Sequence, residues 1–494
     1  MRTVSTPEVQ ITEPSTVAQG NLLQRLYAAL FKPVDISFLV FFRIVFGGIT
    51  LWEVYRYFTH GWIARYFVDT DLTFPYYGFS WVKPWPGSGM YIHFAILGVA
   101  AACVMAGFLY RFATPVFFLA FTYFFLLDQT RYLNHFYLVC LIAFLMCFLP
   151  AERAFSIDAL LRPKIRSDVV PAWTLWLLRA QVGIPFFFGG IAKLNRDWLF
   201  GGEPMRSWLL PLTKVPGGGP IFTADWVVYG FVIGGLLLDL FVVPLLIWRR
   251  TRPFAFAAAV VFNLINAVIF DIGIFPWLML GALLIFFPPD LVRRFARAFM
   301  SSGEESQDDA APITKAIPET SSCPTLTSSQ KLTAGLLAAY MAVQILFPLR
   351  HHLYPGDVSW TEEGHNFSWH MKLRTKEGDA IFTVYHPQSG QTWTINPDDY
   401  LRSHQAVKLT KPDLILLFAH HLAEEKRREG YDNVEVRARV MVSLNGRQPQ
   451  LLVNPEVDLT KEQMSLLPER WIVPLTTPLR TRSDHKVTAA DVVE

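Results

Sequence analysis

Residues 226–248 read WVVYGFVIGGLLLDLFVVPLLIW. A helix rises about 1.5 Å per residue and a bilayer core is about 30 Å thick, so a run of this length and apolarity spans a membrane. Its only charged group is Asp239. Working outward, similar apolar runs occur at roughly 38–58, 90–109, 112–127, 133–149, 173–192, 254–270, 272–288 and 332–349. With the first, that makes nine candidate spans. Several are short for a tilted helix, so the expectation is a polytopic α-helical membrane protein of about eight to nine spans.

The composition agrees. Of 494 residues, 52% are hydrophobic and 17% charged, against about 25% charged in a soluble domain. An ordinary cytosolic chain, a disordered chain and a collagen-like chain are excluded. The net charge of +3 is small and scattered, which argues against nucleic acid as a partner. Four cysteines cannot build a disulfide framework. Cys103, Cys140 and Cys147 sit in apolar runs and Cys323 in a polar segment.

Basic clusters set the expected orientation. Arg162, Lys164 and Arg166 follow the fourth span; Arg249, Arg250 and Arg252 follow the sixth; Arg293, Arg294 and Arg297 follow the eighth. The positive-inside rule makes these loops cytoplasmic, with the N-terminus inside and the chain from 350 onward outside. Lys193, Arg196, Arg206 and Lys214 fall in outer loops and weaken the bias. Residues 1–30 have no apolar core of their own and read as no cleavable signal.

The expected domains are a cytoplasmic N-terminal segment 1–37, a transmembrane domain 38–300, a disordered cytoplasmic linker 301–331, a last transmembrane helix 332–349 and an extracytoplasmic α+β domain 350–494. The linker is rich in Ser, Thr, Pro and acids and cannot bury enough surface to fold. In the tail, Val434, Val436, Ala438, Val440, Val442 and Leu444 alternate with mostly polar residues before Asn445-Gly446, which predicts a strand and a hairpin turn. Residues 367–374 and 379–386, joined through Lys376-Glu377-Gly378, predict a second hairpin, and 411–428 a helix.

Two polar clusters stand at the expected outer edge of the membrane: Asp128-Gln129-Thr130-Arg131-Tyr132-Leu133-Asn134-His135, and Gly189-Gly190-Ile191-Ala192-Lys193-Leu194-Asn195-Arg196-Asp197-Trp198. Ionisable groups beside spans are costly and mark functional positions. A His, an Asn and a Lys could thus meet at one depth. Plainer roles compete: Lys193 as a snorkelling anchor, His135 as a helix cap, Asp239 and Asp271 as partners of helix termini or Arg252. The histidines at 351–352, 365, 370 and 420–421 lack the spacing of a metal site, so no metal is expected. Trp360, Trp369 and Trp393 read as tail core or interface belt.

In order along the chain, Leu127-Asp128-Gln129-Thr130, Asn134-His135-Phe136-Tyr137-Leu138, Ala192-Lys193-Leu194-Asn195-Arg196-Asp197-Trp198, Phe367-Ser368-Trp369-His370-Met371, Ile395-Asn396-Pro397, Val442-Ser443-Leu444-Asn445 and Asn454-Pro455-Glu456-Val457-Asp458 resemble the vitamin K-dependent gamma-glutamyl carboxylase family, in its bacterial form with an HTTM membrane domain. The resemblance covers about 38–480. It implies that Lys193 deprotonates a reduced naphthoquinone, vitamin K hydroquinone, which with oxygen becomes a strong base and leaves as the 2,3-epoxide. That base removes a γ-proton from a protein-bound glutamate, and carbon dioxide adds. By the same resemblance His135 acts in the carboxylation half, and Asn134 and Tyr132 lie at the quinone head. An indirect base makes chemical sense, because an ordinary lysine amine, with a pKa of about 10.4, is too weak to ionise carbon beside a carboxylate.

There are departures from the animal members. They are longer and tie the membrane part to the tail with a disulfide, which a tail without cysteine cannot do. Tyr132 stands where they have a Trp. The expected function is therefore vitamin K-dependent γ-carboxylation of glutamate coupled to quinone epoxidation, in a bacterial inner or plasma membrane, with a glutamate-containing peptide or protein as partner. The alternatives are an epoxidase without carboxylation, or a non-catalytic quinone- or partner-binding protein on the same scaffold.

Overall fold

A computed structural model describes residues 22–214, 219–270, 272–294 and 327–479. Expectations that fall on residues 1–21, Asp271, Arg297, Cys323 and the segment 301–326 lie outside the described residues. Ten helices of the membrane part and its approach are used below: α1 Leu22–Phe31, α2 Ser37–Thr59, α3 Gly89–Ala106, α4 Tyr110–Leu126, α5 Asn134–Met146, α6 Trp173–Ala192, α7 Asp225–Ile247, α8 Arg252–Ile269, α9 Phe275–Leu283 and α10 Ser328–Leu346. Helices α2, α3, α6, α7, α8 and the extended Ser328–Leu353 are long and apolar enough to cross a membrane; Tyr110–Leu126, Asn134–Met146 and Phe275–Phe286 are shorter. Each of the nine apolar runs is helical, as lipid demands of a backbone with no water to satisfy it.

The helix ends sort into two layers. At one, Arg293 reaches both Asp35 (2.9 Å) and Asp168 (3.0 Å), beside a two-stranded pairing of β1 Pro33–Asp35 with β2 Val169–Pro171. Gly107 closes α3 there with φ +63, and an added Cβ would lie 2.5 Å from both Arg43 and Ser156, so only glycine fits. The next helix, α4, starts on the Asp158 carboxylate, which accepts from the backbone N–H of Leu109 and Tyr110. The other layer holds the end of α2, the start of α5, the end of α6 and the tail.

The tail carries an antiparallel sheet of order β4-β3-β5-β6, with β3 Lys376–His386, β4 Gln391–Ile395, β5 Glu435–Leu444 and β6 Gln450–Leu451. Helix α11, Pro412–Arg428, packs on it through Leu414, Phe418 and Leu422 against Phe382, Val436 and Val440. Asn445 (φ +51) and Gly446 (φ +71) make the turn after β5, as their sequence signal requires.

One expected hairpin is absent. Lys376, Glu377 and Gly378 are not a turn but the first residues of β3, paired with Leu444, Ser443 and Val442 of β5. The partner of β3 on its other side is β4. Residues 367–374 are not a strand: Phe367, Trp369 and Lys372 all have positive φ, and Trp369 is buried in the core of the membrane helices. The alternation there reflects docking onto another domain, which imitates a strand's period without its ladder.

Candidate active site

The geometry of the Lys193 region begins with a glycine. A Cβ on Gly190 would stand 2.7 Å from the Leu240 side chain, so α6 and α7 can approach closely only because it is absent. That approach brings Lys193, the residue capping the end of α6, to Asp239 in the middle of α7. Lys193 Nζ donates to Asp239 Oδ2 at 2.5 Å and to the Gly189 carbonyl at 3.3 Å. It also lies 5.3 Å from the centre of the Trp198 ring. Both charged residues are buried, at 6% and 5% exposure. The snorkelling role is thereby corrected: the ammonium turns into the protein, because a carboxylate is waiting there. Asp239 likewise does not serve Arg252, which bonds the carbonyls of Leu246 and Ile247 instead.

The rest of that motif is accounted for residue by residue. Asn195 holds the turn by donating to the Ala192 carbonyl and accepting from Trp198 N–H. Trp198 donates its indole N–H to Val232 on α7. Asp197 points to the tail, where Arg447 grips both carboxylate oxygens at 2.6 Å and Asn445 donates at 2.7 Å. Neither Arg447 nor the side-chain role of Asn445 carried a signal in the sequence.

Asn134 and His135 open α5. The cap of that helix is Leu133, with no side-chain cap bond, so His135 is not the cap it could have been. Its ring is buried between Phe136 and Phe275. Asn134 accepts from the Tyr132 hydroxyl at 3.0 Å and donates to the His370 carbonyl at 3.3 Å. Tyr132 in turn accepts from Phe367 N–H at 2.7 Å. The segment 367–370 of the tail thus fixes the two residues through the Phe367 N–H and the His370 carbonyl, with the Phe367 ring set edge-on to Tyr132.

These pieces meet in one space. A cavity of about 1130 Å³ is lined by Tyr132, Asn134, His135, Lys193 and Asp239 together with a largely apolar wall that includes Phe136, Phe186, Leu238, Val261 and Phe262. All four residues singled out in the sequence line it.

A second buried charge cluster lies in the tail, away from the cavity. Burial works to raise the Glu362 carboxyl, but Arg374, Lys376, His365 and Lys411 overcome it and hold it well below the usual range. Burial draws Lys376 and Lys411 down to about 8. The rings of His351, His352, His365 and His370 pack on one another nearby. Among the described residues no group of three His, Cys, Asp or Glu side chains is placed to hold a metal ion.

A helical domain with membrane-crossing helices and a largely apolar cavity at one end, lined in part by Met371 and Lys372 of the tail, fits an integral membrane protein. Residues 31–291 match the HTTM domain, and residues 329–478 match the vitamin K-dependent gamma-carboxylase lumenal domain. No solved structure matches the chain. The chain belongs to the vitamin K-dependent gamma-glutamyl carboxylase family.

Proposed function

We propose that the protein is a vitamin K-dependent gamma-glutamyl carboxylase that couples epoxidation of a reduced naphthoquinone to carboxylation of glutamate side chains. The observation that carries this reading is the convergence of the Lys193–Asp239 pair, Asn134 and His135 on one apolar cavity. The cavity suits a quinone with an isoprenoid tail: its volume of about 1130 Å³ is that of a large ligand site, and most of its wall is apolar. When bound with oxygen, the reduced quinone supplies the strong base that no side chain can provide.

The chain's own residues have simpler tasks. Lys193 can take a proton only as the free amine, and Asp239 at 2.5 Å is the group able to hold the proton that the ammonium gives up. A shift of one proton across that contact interconverts an ion pair and a neutral pair, and burial narrows the gap between them. Asn134, fixed by Tyr132 and the His370 carbonyl, keeps one amide N–H to orient an oxygen of the quinone head. His135 stands in an aromatic setting that excludes water, where it serves the carboxylation half. The apolar wall keeps water from quenching a carbanion.

The same reading places the N-terminus in the cytoplasm of a bacterium, the catalytic domain within 38–300, the last span at 332–349 and the tail 350–494 outside the inner or plasma membrane. The two layers of helix ends support it, since Arg249, Arg252 and Arg293 belong to the layer without the tail.

Purified protein supplied with reduced naphthoquinone, oxygen, labelled bicarbonate and a glutamyl peptide tests the whole proposal. Quinone epoxide and label fixed in the peptide are expected together. Epoxide without label would reduce the function to an epoxidase, and neither product would leave a quinone- or partner-binding protein.

A further inference from the structure

Among the described residues six charged side chains line the cavity: Glu53, Arg56, Arg131, Lys193, Asp239 and Lys372. Four are cationic and two anionic, and each anion already has a cation. Asp239 holds Lys193 at 2.5 Å and Glu53 holds Arg56 at 2.8 Å. Lys372 lies over the rings of Trp208 and Phe270. Arg131 forms no ion pair with any described carboxylate. Its guanidinium lies 3.8 Å from the centre of the Tyr66 ring, while its Nε is buried without a hydrogen-bond partner.

Stacking occupies the face of a guanidinium and leaves its rim of N–H donors in the ring plane, which is the geometry that grips a carboxylate with two bonds. The turn that carries Arg131, Gln129–Arg131, is pinned by Asp128 accepting from Thr130 N–H. Arg131 is therefore set three residues ahead of Asn134 on a fixed base. Arg56 lines the same cavity from the end of α2, where it is paired with Glu53.

We propose that Arg131, with Arg56 beside it, is the carboxylate-binding element of the cavity and receives the γ-carboxylate of the glutamate side chain. This rests on the reading of the cavity as a glutamyl carboxylase site. It adds a residue for substrate selection that neither the Lys193 nor the Asn134–His135 motif contains. It also gives the Arg131 guanidinium an anionic partner in a low-dielectric space, where a charge without a counter-ion is costly. A product bearing two carboxylates on one carbon would engage both arginines.

The test is binding of a fluorescent glutamyl peptide, and of its glutaminyl counterpart, to the full protein in lipid nanodiscs. Carboxylation kinetics are run beside it. Wild-type protein should prefer the glutamyl peptide. In Arg131→Met, which keeps an apolar stem against Tyr66, affinity for the glutamyl peptide should fall about 10–100-fold, the range of a lost charge-assisted pair. The KM for reduced quinone should not move. Arg131→Lys should restore part of the preference, which a merely structural role would not require. An Arg131→Met protein that is folded and still prefers glutamyl over glutaminyl peptide would overturn the inference and leave the proposed function standing. A rise in the KM for bicarbonate with unchanged peptide binding would overturn it too, by assigning the anion to the carbon source. Wild-type protein that binds the glutamyl peptide selectively but fixes no label, with the preference lost in Arg131→Met, would instead sink the proposed function and keep Arg131 as a carboxylate site.

Discussion

Lys193 and Asp197 are one helical turn apart in sequence, and both end in buried ion pairs, but the two pairs are finished differently. The Asp197 carboxylate has both oxygens bonded, by Arg447 and Asn445, and so joins the membrane domain to the tail. Lys193 has Asp239 and one carbonyl on one side and an open cavity on the other. The desolvation cost is similar in kind for both. A carboxylate saturated by donors can only hold; an ammonium sharing one proton with a carboxylate at a cavity wall can also exchange it. The two pairs differ in what surrounds them rather than in residue type, and the base role proposed for Lys193 rests on that difference.

The strongest way to break this comparison is Lys193→Arg. Arginine keeps the charge, the reach and the contact with Asp239, but it stays protonated and cannot serve as a base. Epoxide and carboxylated product should both fall by about 10²–10⁴-fold in folded protein. Near wild-type oxygenation of reduced quinone by that variant would make the Lys193 pair as structural as its neighbour.

The Asp197 pair should respond in stability. Arg447→Met leaves a buried carboxylate without its cation and should cost about 3–5 kcal/mol, read as a lowered denaturation midpoint. Adding Asp197→Asn to it should recover part of the loss. A stable Arg447→Met protein with defective catalysis would mean that Asp197 belongs to the site.

The smallest effect, with its pH dependence in acid, concerns the Glu362 cluster that lies wholly in the tail. Because the folded-state value of Glu362 is held below its ordinary 4.5, its contribution to stability is complete above about pH 4.5 and is lost as pH falls through the folded value. Glu362→Gln should lower stability at neutral pH and flatten the acid limb of the stability profile. An acid limb unchanged by the substitution would show that the tail's cations do not depend on this carboxylate.

Much of the molecule is legible in its sequence, for a physical reason in each case. The nine apolar runs are helical because a backbone in lipid must bond to itself. The strand Glu435–Leu444 is legible because one face is buried and the other is not, and its turn because Asn445 and Gly446 accept positive φ. Lys193, His135 and Asn134 stand in polar clusters at the edge of apolar runs, but the roles expected of them and of Tyr132 came from the family resemblance. The segment 367–374 misled because a docking loop can alternate apolar and polar residues as a strand does.

What the sequence by itself determined was the set of elements whose signals are local: periodicity, apolar length and turn chemistry act over a few residues and leave a readable pattern. Only the tertiary structure decided that Lys193 turns inward to Asp239, 46 positions on, that Asp197 is held by Arg447, 250 positions on, and that Arg131 lines the cavity without an ion pair to any described carboxylate. Pairings of that kind depend on which helix faces pack together, and a contact between distant residues imposes no period on the chain between them.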